Sequence, residues 1–291
     1  MTNEKNEENS LLIRSIPLVI SANTLRYADL DSRLAAAAGA GFCGIGLRLD
    51  DYRAARASGL SDARIVGKIE ESGLVVTELE TTWDWVSAND GSFVDDEQAE
   101  LLRVADLLGC RQLNLPSFFA HPLGAIVKSF GRLCDRVSDS NLLIGLEFLP
   151  YGQISHLTFA WQVVADADRD NGGVLLDTWH YFRSGSQHEQ LAAVPVEKIV
   201  AIQLNDVGRN AHADLRDESR HHRLLPGEGA GDLHGFLHTL ENSNYSGPIA
   251  VEVFSDALDE QSADQAALDS IRAVRSVLAG AEWRTQPPEP A

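Results

Sequence analysis

Lysine is scarce in this chain of 291 residues, and so are cysteine and long apolar runs. Four of the 24 basic residues are lysines, namely Lys5, Lys68, Lys128 and Lys198. So few lysines leave few candidates for an enzyme that forms a Schiff base. The longest apolar runs are far shorter than the roughly 20 residues that cross a bilayer, so a membrane helix is not expected.

The cysteine pattern argues against a small protein held together by disulfides or by a cysteine-bound metal. Cys43, Cys110 and Cys134 are odd in number and widely spaced, and no CxxC or Cys/His ligand spacing occurs. Reduced thiols in a cytosolic protein are the simplest interpretation. The first ten residues, MTNEKNEENS, are polar and acidic, unlike a signal peptide. We therefore expect a cytoplasmic protein.

Positive charge is also in short supply, because 24 Lys and Arg residues face 43 Asp and Glu residues, for a formal net charge of −19. Nucleic acids and anionic membranes both require a cationic surface, so neither is an expected partner. This balance does not exclude a small anionic substrate, which a local cluster of arginines could hold. The sequence leaves open whether the chain forms a homo-oligomer.

Eight short apolar runs alternate with amphipathic stretches, which predicts an α/β protein with a single-domain (β/α)8 TIM barrel over 15–280. A polar arm is predicted over 1–14 and a Pro-rich tail over 281–291. A doubly wound open sheet is the alternative, but no GxGxxG or GxxxxGK[ST] loop follows an early strand. Strands are predicted at 16–21, 42–49, 74–80, 111–117, 142–150, 173–179, 199–206 and 248–255, and helices at 29–40, 61–73, 95–109, 121–139, 157–169, 186–193, 231–241 and 261–280.

Polar side chains interrupt four successive predicted strands near their carboxyl ends, which form the catalytic face of such a barrel. Burying a polar group is costly unless a partner compensates for it. Oxygen ligands that converge on one point would hold a hard or borderline divalent cation such as Mn²⁺ or Mg²⁺. The alternative is that each is a hydrogen-bonded strand residue without a metal. The four candidates are Glu147, Asp177, Gln203 and Glu252.

Two short motifs accompany these candidates, DTWH at 177–180 and LPGEG at 225–229. Together they make residues 16–280 resemble the xylose-isomerase-like TIM barrel superfamily, which includes sugar phosphate isomerases and epimerases. The resemblance implies that His180 contacts the substrate, and that Arg209, six residues after Gln203, does so too. It also implies one bound divalent ion, Mn²⁺ foremost with Mg²⁺, Co²⁺ or Zn²⁺ as alternatives, held by Glu147, Asp177, Gln203 and Glu252.

The activity implied by the resemblance is that of a metal-dependent isomerase or epimerase of a sugar or related keto compound. Glu147 and Glu252 would transfer the proton through a metal-stabilised enediolate. The chain departs from the ketose 3-epimerases at Gln153, where they carry glutamate, and at Gln203, where they carry histidine. Glutamine as third ligand occurs in hydroxypyruvate isomerases and in some 3-dehydroshikimate dehydratases. The alternative is therefore a lyase that expels water or another group β to a carbonyl, as dehydroshikimate and inosose dehydratases of this superfamily do.

Two further functions are less favoured. The first is DNA repair, because the endonuclease IV branch of the superfamily shares the fold. That branch needs extra histidines for a three-metal cluster at the ends of strands 3 and 4, where this chain reads ETTWDW and LPSFF. A non-catalytic binding protein would not require four ligands. The long loop 207–230, rich in Arg and His, is predicted to be a lid that faces the substrate or a contact between subunits. Aromatic residues at the same rim are expected mainly to pack in the core, with room for an apolar face of the substrate; they are Trp83, Trp85, Phe118, Phe119, Phe148, Trp179, Tyr181, Phe182 and Phe254.

Overall fold

The structure is a computed structural model that describes residues 16–82, 84–88, 96–281 and 283. Eight parallel strands close into a barrel in chain order, and the last strand pairs with the first. This confirms the predicted TIM barrel and excludes the open sheet. The predicted arm over 1–14, Trp83 and most of 281–291 lie outside the described residues. The strands are β1 Leu18–Ile20, β2 Gly44–Arg48, β3 Val75–Glu80, β4 Gln112–Pro116, β5 Leu143–Glu147, β6 Gly172–Asp177, β7 Ile199–Leu204 and β8 Ile249–Val251.

Helices connect the strands, and several begin and end at residues that the sequence marks as caps. The Asp29 carboxylate accepts a hydrogen bond from the Ser32 amide, and Gly41 ends the same helix at a φ of 88°. The helices are α1 Leu30–Ala40, α2 Leu49–Ala57, α3 Asp62–Glu71, α4 Trp85–Ala88, α5 Asp96–Leu107, α6 Leu123–Arg136, α7 Leu157–Ala167, α8 Thr178–Arg183, α9 His188–Ala192, α10 Leu215–His221, α11 Leu233–Asn242, α12 Asp256–Asp259 and α13 Ala263–Gly280, with a 3₁₀ turn at Val196–Lys198.

Short helices at the carboxyl ends of the strands are the main difference from the sequence prediction. The sequence pattern predicts that the sixth strand continues to residue 179, but the strand ends at Asp177. There the Asp177 side chain accepts a hydrogen bond from the His180 amide and starts α8. α2, α4, α10 and α12 are further short helices that the sequence pattern does not predict.

Apolar side chains fill the space within the barrel and between the barrel and its helices. The strands lie close together at Gly173 in β6, where an added Cβ would be 2.4 Å from the Lys198 carbonyl oxygen. Among the described residues, no helix combines the length and apolar character needed to cross a membrane.

Candidate active site

A cavity of about 460 Å³ opens at the carboxyl ends of the strands. Glu80 from the end of β3, Glu147 from the end of β5 and Glu252, which follows β8, all line it. His180 and Arg223 line it as well. In a TIM barrel this face carries the chemistry, so the cavity is the candidate active site.

The structure brings the four predicted ligands together. The Gln203 amide Nε2 donates to Glu252 Oε1 at 3.0 Å. Arg223 Nη1 donates to Asp177 Oδ2 at 2.7 Å and to Glu252 Oε2 at 3.1 Å. Glu147 joins the cluster through Oε1, which lies 3.3 Å from His180 Nε2. One connected polar cluster therefore spans β5 to β8.

His180 stands where the DTWH motif predicts a substrate contact, and its position follows from Asp177. The cap between Asp177 Oδ1 and the His180 amide is 2.9 Å long and fixes the first turn of α8. Trp179 and Tyr151 pack edge-on against the imidazole, with ring centroids 5.2 and 5.9 Å away. His180 Nε2 lies within 3.3 Å of both Glu147 and Arg223. The ring is thus held firmly at the cavity wall.

Arg223 is the buried cation of the site. Its Nε donates to the Ser219 carbonyl at 2.8 Å, and the guanidinium lies 4.9 Å from the centre of the Phe254 ring. Burial opposes its charge, but Asp177 and Glu252 outweigh that effect and raise the pKa of Arg223 above its usual value. The guanidinium therefore remains charged and balances two of the carboxylates.

Glu80, which lines the cavity, and Glu78, which is buried two residues before it, are acidic residues that the sequence interpretation missed. Gln203 Nε2 donates to Glu80 Oε1 at 3.0 Å, and Asn23 donates to its other oxygen. Burial together with Glu78 raises the pKa of Glu80 to about 7. Burial together with Glu252 raises the pKa of Glu78 to about 8. The alternation in TELE, which directs both glutamates to one face of β3, is the signal that could have revealed them.

Glu252 lies between these acids and Arg223. Ser21 Oγ and Asn23 Nδ2 each donate to its Oε1 at 3.0 Å. Burial and then Glu80 raise its pKa well above the usual value, and Arg223 opposes that shift. Negative charge is therefore under-compensated at this point of the barrel.

The donor set fits a divalent cation. Glu147, Asp177 and His180 each offer a ligand atom, and these atoms lie within 4.8 Å of one another. The Gln203 oxygen Oε1 is buried and has no hydrogen-bond partner in the described part of the chain. A cation held by Glu147, Asp177 and His180 would offset the crowded carboxylates.

A family model described as the xylose isomerase-like TIM barrel matches residues 34–277. The chain belongs to this family. Solved structures with the same fold include the IOLI protein with a bound zinc atom, which has a TM-score of 0.80 at 19% identity and covers 93% of this chain and 100% of that one. Another is a xylose isomerase domain protein from Alicyclobacillus acidocaldarius, with a TM-score of 0.74 at 22% identity, covering 92% of this chain and 99% of that one.

Curated relatives in the xylose isomerase-like family include two kinds of enzyme. A 3-dehydroshikimate dehydratase from Pseudomonas aeruginosa is 35% identical over 144 residues, which are 49% of this chain and 23% of the relative. An inosose isomerase from Halalkalibacterium halodurans is 31% identical over 170 residues, which are 54% of this chain and 59% of the relative. The matches thus span about a quarter of the dehydratase and somewhat over half of the isomerase.

Arg209 does not reach the cavity of this xylose isomerase-like barrel. It lies exposed on the segment after β7, whereas Arg223, fourteen residues further on, returns to the site. An antiparallel bridge between Asp206 and Leu224 brings the chain back beside β7. The six-residue spacing from Gln203 therefore does not identify the arginine that lies at the ligand cluster.

Of the other residues predicted at the rim of the barrel, some line the cavity and others do not. Phe118 and Phe254 line the cavity, whereas Phe148 and Trp179 are fully buried in the core. Within loop 207–230, Ser219, Arg220, His221 and Arg223 line the cavity. None of the three lysines in the described part of the chain lines the cavity. Lys68 lies in α3, Lys128 in α6 and Lys198 in the turn before β7.

Proposed function

We propose that this chain is a divalent-metal-dependent isomerase or epimerase of a polyhydroxylated keto compound. The observation that carries the proposal is that Glu147, Asp177 and His180 each offer a ligand atom within 4.8 Å of the others, at a cavity that Glu147, His180 and Glu252 line. Inosose isomerases, whose name denotes action on a cyclic polyhydroxy ketone, are among the relatives.

Glu147, Asp177, Gln203 and Glu252 are the proposed ligands, and Mn²⁺ is the expected ion because the donors are oxygens. When bound, the ion supplies Lewis acidity that polarises a carbonyl or hydroxyl oxygen of the substrate. Arg223 offsets the charge of Asp177 and Glu252 and orients one oxygen of each.

Glu147 and Glu252 are the proposed proton carriers. They lie at the ends of different strands and line the same cavity, so both carboxyl groups can reach a substrate bound there. Ser21 and Asn23 fix one oxygen of Glu252 by donating to it. His180 Nε2 faces Glu147 and Arg223, where it can donate a hydrogen bond to a substrate oxygen as charge develops on that oxygen.

Dehydration next to a carbonyl is the second candidate. Two relatives bear the name 3-dehydroshikimate dehydratase, and that substrate carries a carboxylate. Arg26 and Arg48 line the cavity and could receive such a group as bidentate donors. Each already pairs with an aspartate, Asp259 and Asp51 respectively, so the carboxylate would have to share the guanidinium.

The test is incubation of the Mn²⁺-loaded chain with a panel of keto sugars and cyclic ketones in D₂O, followed by mass spectrometry. Deuterium incorporation without loss of water supports the isomerase or epimerase, and loss of one water supports the dehydratase. Glu252→Gln is the matched negative control, and exposed Glu241→Gln is the positive one. Absence of both deuterium incorporation and water loss across the panel, in a chain that binds no metal, would overturn the proposal.

A further inference from the structure

A second group of metal-binding side chains lies outside the cavity, on the surface around α10. His212, Asp217 and His222 each offer a ligand atom, and the three atoms lie within 4.8 Å of one another. The two imidazole centroids are 4.7 Å apart, and Asp217 Oδ2 lies 3.5 Å from His222 Nε2. We propose that these residues bind one divalent cation of the zinc class, separate from the ion proposed for the barrel.

Hydrogen bonds of the backbone amides fix where the three residues lie relative to one another. The buried Glu218 carboxylate accepts a hydrogen bond from the His212 amide at 2.8 Å. The His222 amide donates to the Glu218 carbonyl at 3.0 Å, so both histidines are tied to one residue. Asp217 lies in the first turn of α10, where its amide donates to the capping Asp214 carboxylate at 3.2 Å. The chain therefore brings the three side chains together before any ion arrives.

Small rotations of exposed side chains would complete the site. Tetrahedral zinc with bonds of 2.0–2.1 Å places its ligand atoms about 3.4 Å apart. The separations here, at most 4.8 Å, exceed that by about 1.4 Å or less. His212, Asp217 and His222 are all exposed, so their rotamers can adjust without disturbing the core. The neighbouring His221 does not serve as a fourth ligand, because its Nδ1 lies 2.8 Å from Asp256 Oδ1 and pairs with it. The fourth coordination position is therefore left to water.

The two proposed sites should select different ions. Two imidazoles and one carboxylate suit Zn²⁺, Co²⁺ or Ni²⁺ better than Mn²⁺ or Mg²⁺. The cluster in the barrel consists mainly of oxygen donors, which suit Mn²⁺ and Mg²⁺. A zinc-class ion should therefore occupy the surface site even when Mn²⁺ is in excess.

The surface site lies on the back of a segment that forms part of the cavity wall. Ser219, Arg220 and His221 line the cavity, and Arg223 directly follows the ligand His222. His222 also forms an antiparallel bridge with Ser255, near the end of β8. A cation bound here would cross-link the residues before and after α10 and restrain that wall.

Calorimetric titration of the full chain with Zn²⁺ in saturating Mn²⁺ tests the proposal. The wild-type chain should bind one more equivalent of Zn²⁺ than the double variant His212→Gln, His222→Gln. His238→Gln, which changes an exposed histidine on α11, should bind as the wild type does. Equal stoichiometry and equal Kd in the wild type and the double variant would overturn the proposal.

A second measurement needs no variant. Diethylpyrocarbonate modifies free imidazoles, and peptide mass spectrometry reports the extent at each histidine. Zn²⁺ should slow modification of His212 and His222 several-fold while His238 reacts at an unchanged rate, and Mn²⁺ alone should protect none of the three. Unchanged modification of His212 and His222 in Zn²⁺ would contradict the assignment, whatever the activity of the barrel.

Discussion

Glu252 is the residue on which the proposed proton transfer depends most directly. A glutamine at this position still offers an oxygen to a cation but cannot accept a proton. Glu252→Gln should therefore lower kcat by about 10²–10⁴-fold, the usual range for loss of a general base. The melting temperature should not fall, because the change removes a buried carboxyl from a crowded acidic cluster. Steady-state kinetics and thermal melts check both expectations, and near wild-type turnover would shift the base to Glu147.

Arg223 and Arg209 form a matched pair for a test of which arginine matters. Arg223→Ala leaves Asp177 and Glu252 buried without their shared cation, and breaking such a pair costs about 3–5 kcal/mol of unfolding free energy. Arg209→Ala removes an exposed side chain and should leave both the unfolding free energy and kcat/KM unchanged.

Urea unfolding and kinetics on both variants provide the measurement. Arg223→Lys, which keeps a charge but cannot bridge both carboxylates in the same way, serves if the alanine variant does not fold. A loss of kcat/KM in Arg209→Ala with none in the Arg223 variants would restore the role that the sequence spacing gave to Arg209.

Glu78 should make the stability of the fold depend on pH. Its pKa in the folded chain is about 8, against an ordinary value of 4.5, because of burial and then of Glu252. The folded state therefore holds a proton that the unfolded state releases, so the free energy of unfolding falls as pH rises from about 4.5 to 8. Glu78→Gln should flatten this decline, by an amount on the order of a few kcal/mol.

The measurement is urea unfolding from pH 5 to pH 8 in the presence of a chelator, so that metal binding does not contribute. Glu70→Gln, an exposed substitution on α3, is the control and should follow the wild type. If Glu78→Gln ran parallel to the wild type across this range, Glu78 would be ionised in the folded chain.

At the scale of secondary-structure elements, the sequence predicted the strands and helices whose apolar residues repeat regularly. All eight strands and the long helices, such as α5 and α13, lie within a few residues of their predicted bounds, because buried strands and amphipathic helices repeat their apolar residues regularly. The sequence pattern did not reveal the short α8, because its start depends on a single capping side chain, that of Asp177. By pattern alone, residue 177 could equally have been part of a longer strand.

The candidate site was predictable only in part for a related reason. The sequence could predict that four polar residues lie at neighbouring strand ends, because the carboxyl ends of the strands converge in any barrel. These residues are Glu147, Asp177, Gln203 and Glu252. The position of Arg223 depends on the bridge from Asp206 to Leu224, a pairing between residues 18 apart that local patterns do not encode. Spacing along the chain selected Arg209 instead.

The contact between β6 and the turn before β7 offers a test of how tightly the barrel is built. Gly173→Ala would force a Cβ to within 2.4 Å of the Lys198 carbonyl, so the strands would have to separate. Gly124→Ala, on the first turn of α6, has open space around it and should be neutral or stabilise by about 0.5–1 kcal/mol. Thermal melts should therefore show a lower melting temperature for Gly173→Ala and an unchanged or higher one for Gly124→Ala, and equal shifts would mean that the barrel yields at this point.

At the scale of the whole molecule, the cluster of carboxylates links metal content to stability. Removal of a bound divalent ion should lower the melting temperature by roughly 5–10 °C, the effect expected of a ligand present at about 100 times its Kd. Differential scanning calorimetry with and without chelator measures this, and re-addition of Mn²⁺ should restore the original value. Asp177→Asn should weaken the response. A melting temperature that does not respond to chelator or to Mn²⁺ would argue against a metal in the barrel.

Closure of the barrel between β1 and β8 also constrains how the chain can be synthesised. β1 pairs with β8 through Leu18–Ile249, Val19–Ala250 and Ile20–Val251, so the ring remains incomplete until residue 251 has left the ribosome. Until then β1 and β7 each present an unpaired edge, which invites pairing with other chains. Nascent chains that stall before 249 should therefore be the ones that chaperones hold and that aggregate, and release of the last strand should end that exposure in a single step.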